Sequence, residues 1–138
     1  MKEAGLKAEM WTNLTTADAT EALLRRLMKE ADRPTALFTL NNVTTIHALQ
    51  AVRSMQLRLP ADLAMIGFDD LELAPLLDTP LTAVRQPALE LGRSAARMLF
   101  DMIHRAREVG TDTKVERRIV LPTELILRAS CGCNNHSG

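Results

Sequence analysis

Three short polar pairs carry the side chains best suited to bind or transform a small molecule. Each pair follows a short apolar run, and the pairs are Asn41-Asn42, Asp69-Asp70 and Arg85-Gln86. An amide both donates and accepts hydrogen bonds, whereas an ionised carboxylate only accepts them. A molecule with several hydroxyl groups needs this mixture, because each hydroxyl group donates one hydrogen bond and accepts two. We therefore expect Asn41, Asp69 and Gln86 to be ligand-binding residues.

Two other uses of these residues stay open at this point. The tandem carboxylates of Asp69 and Asp70 could serve acid–base catalysis or hold a metal, but neighbouring residues on an extended chain point in opposite directions. The side chains of Asn41, Asn42 and Asp69 could also cap helices and turns. Spacing alone favours the capping role and the ligand-binding role about equally.

The segments around the polar pairs alternate between helical and strand patterns. Apolar residues with helical spacing predict helices over residues 15–31, 44–55 and 88–107. Short apolar runs predict strands over residues 36–40, 63–68, 81–84, 119–121 and 125–127. This order predicts an α/β fold with three layers and a mostly parallel sheet. Because ligands bind beyond the carboxyl ends of parallel strands, we expect the three polar pairs at one edge of the sheet.

Length and composition exclude several classes of protein. The 138 residues allow one domain, and 46% hydrophobic residues exclude a disordered chain. A formal net charge of zero argues against nucleic-acid binding by the chain as a whole. No apolar run approaches the ~20 residues of a membrane helix, and no secretion signal is seen. With two cysteines there is no disulfide framework, so a cytoplasmic protein is expected.

The last eight residues form a small polar segment, 131–138, which we expect to be a disordered tail. It contains Cys131, Cys133 and His136, whose side chains can bind soft metals. Their spacing is not that of a zinc finger, and they supply only three ligands. We therefore predict no metal site and no cofactor.

Residues 60–90 are strongly acidic. This stretch has six acidic residues and a single basic one, namely Asp62, Asp69, Asp70, Glu72, Asp78 and Glu90 against Arg85. The negative charge near the proposed site disfavours an anionic ligand such as a phosphate.

A series of motifs in a fixed order resembles the sensor domain of lactose-repressor (LacI/GalR) family transcription regulators. The motifs lie at residues 34–41, 48–53, 59–70, 80–87, 91–93 and 121–128. The resemblance covers roughly residues 19–130. The ordered series is specific, whereas any one of the motifs alone would be weak.

The resemblance implies a periplasmic-binding-protein-like domain, in which two α/β subdomains are hinged around a small effector, commonly a sugar or a derivative. The family's effector-contacting Asn falls on Asn41, its contacting Asp on Asp69, and its hinge-region Gln on Gln86. Where the family often has Asp, this chain has Asn42. Residues 1–130 then correspond to an incomplete sensor domain, mainly its second subdomain.

The resemblance also implies partners. Family members act as dimers and bind DNA through an N-terminal helix-turn-helix domain that this chain does not contain. In the family, the segments matching 88–108 and 117–121 return to the first subdomain, so here their apolar faces need another cover. We expect a homodimer or larger assembly. The copies could form it by exchanging structural elements with one another.

Three functions follow as hypotheses. The first is the effector-sensing and dimerisation part of a LacI-type transcriptional regulator that binds a sugar-like molecule and catalyses no reaction. The alternative is a periplasmic-type sugar-binding protein for transport. The third is an enzyme that uses Asp69 and Asp70, for which Asp69→Asn should abolish turnover.

Overall fold

A four-stranded sheet organises the part of the chain that the structure describes. The structure is a computed structural model; it describes residue 5 and residues 9–12, 14–109 and 118–133, and for 105–109 only the backbone. The helices are α1 (Ala17–Leu27), α2 (Asn42–Ser54) and α3 (Ala88–Val109). The strands are β1 (Ala36–Thr39), β2 (Ala64–Phe68), β3 (Thr82–Arg85) and β4 (Glu124–Ile126). Two short 3-10 helices span Ala74–Leu76 and Ala129–Cys131.

The sheet is mostly parallel, as the sequence predicts. Its strand order is β1-β2-β3-β4, with β1, β2 and β3 parallel and β4 antiparallel to β3. Thr39 is in register with Gly67, and Phe68 is in register with Val84. The carboxyl ends of the three parallel strands therefore lie side by side at one edge of the sheet.

Helix α1 begins one residue later than the Thr15-x-x-Asp18 pattern predicts. The N-cap is Thr16, whose hydroxyl oxygen accepts a hydrogen bond from the Ala19 backbone N–H at 3.2 Å. The helix buries Leu24 and Leu27, and it packs on α2. Capping by a hydroxyl satisfies one of the N–H groups that the first helical turn leaves unpaired, which fixes where α1 starts.

The core lies between α2 and one face of the sheet. It contains the buried residues Ala48, Met65, Ala74 and Leu81. A Cβ atom added to Gly67 would lie 3.4 Å from side-chain atoms of both Thr45 and Leu81. A side chain at residue 67 would therefore crowd α2 at the carboxyl end of β2, next to the polar pair Asp69-Asp70.

The C-terminal segment is attached by hydrogen bonds to the amino ends of β2 and β3. The buried Ser130 hydroxyl donates to the Met65 carbonyl at 2.6 Å and accepts from the Thr82 N–H at 2.8 Å. The Thr82 hydroxyl exchanges hydrogen bonds with the backbone of Arg128, at 2.9 and 3.1 Å. These contacts attach the 3-10 helix Ala129–Cys131 to both β2 and β3.

Two details of the sequence prediction are corrected. Residues 119–121 form no strand, since no strand of the described part of the chain pairs with them; Ile119 and Val120 are exposed. The predicted tail starts too early, because Cys131 is helical; residues 134–138 lie outside the described residues.

Within the described residues, no helix combines the length and the apolar character needed to cross a membrane.

Candidate functional site

The three predicted site residues lie at the same edge of the sheet. Asn41 follows β1, Asp69 follows β2 and Gln86 follows β3. Asn41 and Asp69 each lie two residues beyond the register pair Thr39 and Gly67. Adjacent strands are about 4.8 Å apart, so this register keeps the starts of the three loops close together.

Asp69 and Gln86 are in direct contact. The Gln86 amide Nε2 donates to the Asp69 Oδ1 at 2.5 Å, and the Asp69 backbone N–H donates to the Val84 carbonyl at 2.9 Å. Both side chains are half-buried. Within the described residues, no other hydrogen bond engages the second Asp69 carboxylate oxygen, the Gln86 carbonyl oxygen or the second Gln86 N–H. The contact therefore leaves both acceptors and a donor available for a ligand.

The backbone at Asp69 is left-handed, with φ of 73°. Outside glycine this conformation is uncommon, and it costs about 1–2 kcal/mol, although Asp and Asn tolerate it better than most residues. A sharp turn at this residue ends β2 and directs the carboxylate towards Gln86. The surrounding hydrogen bonds hold the residue in this conformation, a pattern found often at functional sites.

Asn41 takes the capping role that the sequence left open. Its Oδ1 accepts from the Thr44 backbone N–H at 2.9 Å, which makes it the N-cap of α2. The side chain is exposed, and within the described part of the chain no hydrogen bond engages its amide nitrogen. Capping fixes the orientation of the amide and leaves that N–H₂ group as a donor at the sheet edge. Asn42 is the first residue of α2 and is exposed.

Asp70 belongs to a separate ion-pair cluster. Arg128 donates to its two carboxylate oxygens at 2.7 and 3.0 Å, and Arg85 donates to Oδ2 at 2.6 and 3.2 Å. Asp70 and Arg128 are 7% and 14% exposed, whereas Arg85 is 49% exposed. Arg128 also donates to the Leu81 carbonyl at 2.6 Å. Because the Asp70–Arg128 pair is shielded from water, this ion pair stabilises the fold more than the Asp70–Arg85 pair does.

The two carboxylates of the tandem pair therefore face different partners. Asp69 contacts Gln86, and Asp70 contacts Arg85 and Arg128. The two side chains diverge as expected, but the cause is not an extended chain, because the backbone at Asp69 is left-handed. Within the described residues, no group of three or more His, Cys, Asp or Glu side chains is placed to hold a metal ion. The arrangement offers hydrogen bonds to a neutral polar molecule rather than a paired acid and base.

Sequence reasoning did not assign two residues that support the site. Arg128 lies 58 residues from Asp70 along the chain, and Ser130 lies 65 residues from Met65. No local periodicity can predict contacts over such separations. The available signal was indirect: Arg128 directly follows the apolar run 125–127, and Ser130 comes two residues later.

The pH dependence of stability follows from the Asp70 cluster. Hydrogen bonds from Arg128, with a smaller contribution from Arg85, hold the pKa of the Asp70 carboxyl below its ordinary value. The folded protein therefore resists protonating Asp70, and the stabilisation is complete above the ordinary carboxyl pKa of about 4. It is lost as the pH falls through the lowered value in the folded state. We expect the free energy of unfolding, measured by urea denaturation, to fall below about pH 4, and less steeply in Asp70→Asn.

Known proteins share this fold and sequence pattern. Residues 1–131 match the family model described as a periplasmic binding protein-like domain. The ribose operon repressor of Haemophilus influenzae is 36% identical over 107 residues, which are 78% of this chain and 30% of the repressor. A regulatory protein of the LacI family from Chloroflexus aggregans is 34% identical with a TM-score of 0.74, over 94% of this chain and 46% of that one.

A more distant neighbour extends the comparison of folds. A LacI family transcriptional regulator from Lactobacillus casei, solved with bound sucrose, has a TM-score of 0.70 at 24% identity, over 94% of this chain and 47% of that one. The chain spans about a third of the length of the curated relative and about half of each solved one. These relatives are named as repressors or regulators, and no enzyme is among them, so the catalytic hypothesis for Asp69 and Asp70 is not supported.

The order of the motifs, the parallel sheet and the polar groups at its carboxyl edge agree with these comparisons. The chain belongs to the periplasmic binding protein-like domain family, and it is similar to one part of a regulatory protein of the LacI family.

Proposed function

We propose that this chain is the effector-sensing part of a LacI-type transcriptional regulator that binds a neutral, sugar-like molecule at Asn41, Asp69 and Gln86. The observation that carries the proposal is the Asp69–Gln86 contact at 2.5 Å, beside Asn41 at the same sheet edge. Three loops from neighbouring strands supply a carboxylate and two amides, which suit vicinal hydroxyl groups. The names of the relatives support the ligand class, since one is a ribose operon repressor and another was solved with sucrose.

The regulatory mechanism rests on differential binding. An effector shifts a regulator between two states only by as much as it binds one state more tightly than the other. In the proposal, the chain acts in the cytoplasm. The shift between its two states alters the DNA affinity of a separate DNA-binding domain. This chain contributes one wall of the effector cleft, so it binds effector more weakly than the whole regulator does.

Titration with a matched pair of ligands tests the ligand class. We expect the chain to bind ribose, or another member of a panel of neutral pentoses, hexoses and nucleosides, in preference to the phosphate ester of the same compound. The carboxylate of Asp69 and the acidic stretch 60–90 repel an added phosphate group. Isothermal titration calorimetry of both members of each pair measures the difference. Tighter binding of the phosphate ester would overturn the proposed ligand class.

Self-association is part of the same proposal. On α3, Leu99 and Met102 are 57% and 61% exposed. A groove runs between α3 and residues 118–121, and its apolar lining includes Leu91, Met98 and Ile119. An exposed apolar face of this kind favours burial against another protein surface. We propose that a second copy of the chain covers it.

Sedimentation of two matched variants tests this dimer. We expect the wild-type chain to sediment as a dimer or larger at micromolar concentration. Met102→Glu should weaken association about 100-fold. It removes an apolar side chain that the proposed interface would bury, and it adds a charge there. The control, His104→Glu, places the same residue on the opposite side of the helix and should leave association unchanged. A compact wild-type monomer at micromolar concentration would contradict the proposal.

A further inference from the structure

The two cysteines lie close together at the end of the 3-10 helix Ala129–Cys131. Cys131 ends this helix, and Gly132 follows in the left-handed conformation with φ of 74°. The Cys133 backbone N–H donates to the Cys131 Sγ at 3.3 Å. The Cys133 thiol in turn donates to the Cys131 carbonyl at 3.9 Å. The turn thus brings the sulfur of each cysteine next to a backbone group of the other.

The spacing of the two residues permits a covalent bond between them. Consecutive Cα atoms are ~3.8 Å apart, so residues on either side of one glycine are at most ~7.6 Å apart, and a turn shortens this distance. Disulfide bonds need about 4.4–6.8 Å between Cα atoms. Gly132 supplies the tight turn without a steric penalty from a side chain.

The two thiols differ in accessibility and in acidity. Cys131 is half-buried and Cys133 is exposed. Partial burial of Cys131 opposes ionisation, but its contacts with Cys133 outweigh it and leave the pKa of the Cys131 thiol below its ordinary value. The same contact with Cys131 raises the pKa of Cys133. A thiol with a lowered pKa beside a second thiol is typical of a nucleophile and resolving pair.

We propose that Cys131 and Cys133 form a reversible dithiol site that is oxidised to an intrachain disulfide by low-molecular-weight disulfides of the glutathione type. The site lies next to Ser130, which is bonded to β2 and β3, so the fixed helix end orients Cys131. It does not depend on effector binding, and none of its atoms belongs to the candidate effector site.

The reaction proceeds by two thiol–disulfide exchanges. The Cys131 thiolate attacks one sulfur of the oxidised reagent, which forms a mixed disulfide and releases one reduced thiolate. The Cys133 thiol loses its proton to solvent, and its sulfur attacks the Cys131 Sγ, which releases the second reduced thiolate. In sum, two protein thiols are oxidised to one disulfide, and one disulfide reagent is reduced to two thiols.

Mass spectrometry after incubation with oxidised glutathione and acid quenching tests the site. In the wild-type chain we expect both thiols to be lost together, with a mass decrease of two hydrogens and no lasting adduct. Because the chain has only two cysteines, such a product is an intrachain disulfide. Reduced glutathione in excess should restore both thiols.

Two single variants test the order of the steps. Cys133→Ser should retain one glutathione on Cys131, because the resolving thiol is gone. Cys131→Ser should react more slowly, because the remaining thiol has the higher pKa. Stable adducts on both cysteines of the wild-type chain, or only covalent dimers between chains, would overturn the proposal. Equal reaction rates of the two variants would overturn the assignment of Cys131 as the nucleophile.

Discussion

Replacing Asp69 with alanine is expected to weaken effector binding by up to about 100-fold. The carboxylate is the only charged acceptor among the three proposed ligand-binding residues, and it also orients the Gln86 amide through their 2.5 Å contact. Hydrogen bonds to a charged group contribute about 1.5–3 kcal/mol, which sets the expected loss. Calorimetry with the panel member that binds the wild-type chain measures it.

Two further variants separate binding from folding in this experiment. Asp69→Gly should bind as weakly as Asp69→Ala but should be more stable, because glycine adopts the φ of 73° without strain. Asp78→Ala removes the same charge near the amino end of β3, at the opposite edge of the sheet, and should bind normally. Unchanged affinity in both Asp69 variants would contradict the proposed site.

The second large effect is expected for stability rather than for binding. Asp70→Ala should lower the free energy of unfolding by about 3 kcal/mol, because it leaves the largely buried Arg128 guanidinium without its anionic partner. Urea denaturation followed by circular dichroism measures the loss. Since Arg85 is half exposed, its own share of the cluster is small.

A surface ion pair provides the control for Asp70. Arg58 donates two side-chain hydrogen bonds to Asp62, at 2.9 Å each, so the contacts resemble those of the Asp70 cluster. Arg58 is 76% exposed, and solvent screens the pair. Asp62→Ala should therefore destabilise the chain much less than Asp70→Ala. Equal losses in the two variants would show that the Asp70 cluster has no special role.

Much of the site could be predicted because it depends on local patterns. The apolar runs 36–40, 63–68 and 81–84 contain the three parallel strands, and the polar residues after them lie at one edge as the rule for parallel sheets requires. That rule predicted that Asp69 and Gln86 would lie near each other, although they are 17 residues apart. The two readings of Asn41 were compatible: one oxygen caps α2, and the amide N–H₂ group remains at the edge.

The remaining features depend on contacts between distant parts of the chain. Residues 119–121 have a strand-like composition, but a strand also needs a neighbour with free backbone groups, and no described strand supplies one. The attachment of the C-terminal segment to β2 and β3 could not be foreseen, because it depends on the hydrogen bonds of Ser130 with Met65 and Thr82. The left-handed backbone at Asp69 likewise follows from its bonds to Val84 and Gln86.

Mapping a ligand titration by nuclear magnetic resonance tests the convergence of the three strand ends most directly. With the panel of neutral sugars and nucleosides, we predict that at least one member shifts the side-chain amide signals of Asn41 and Gln86 and the backbone amide signal of Asp69 together. The same titration of Asp69→Ala should lose these shifts. Shifts centred on another surface, such as the groove beside α3, or no response to any panel member, would contradict an effector site at this sheet edge.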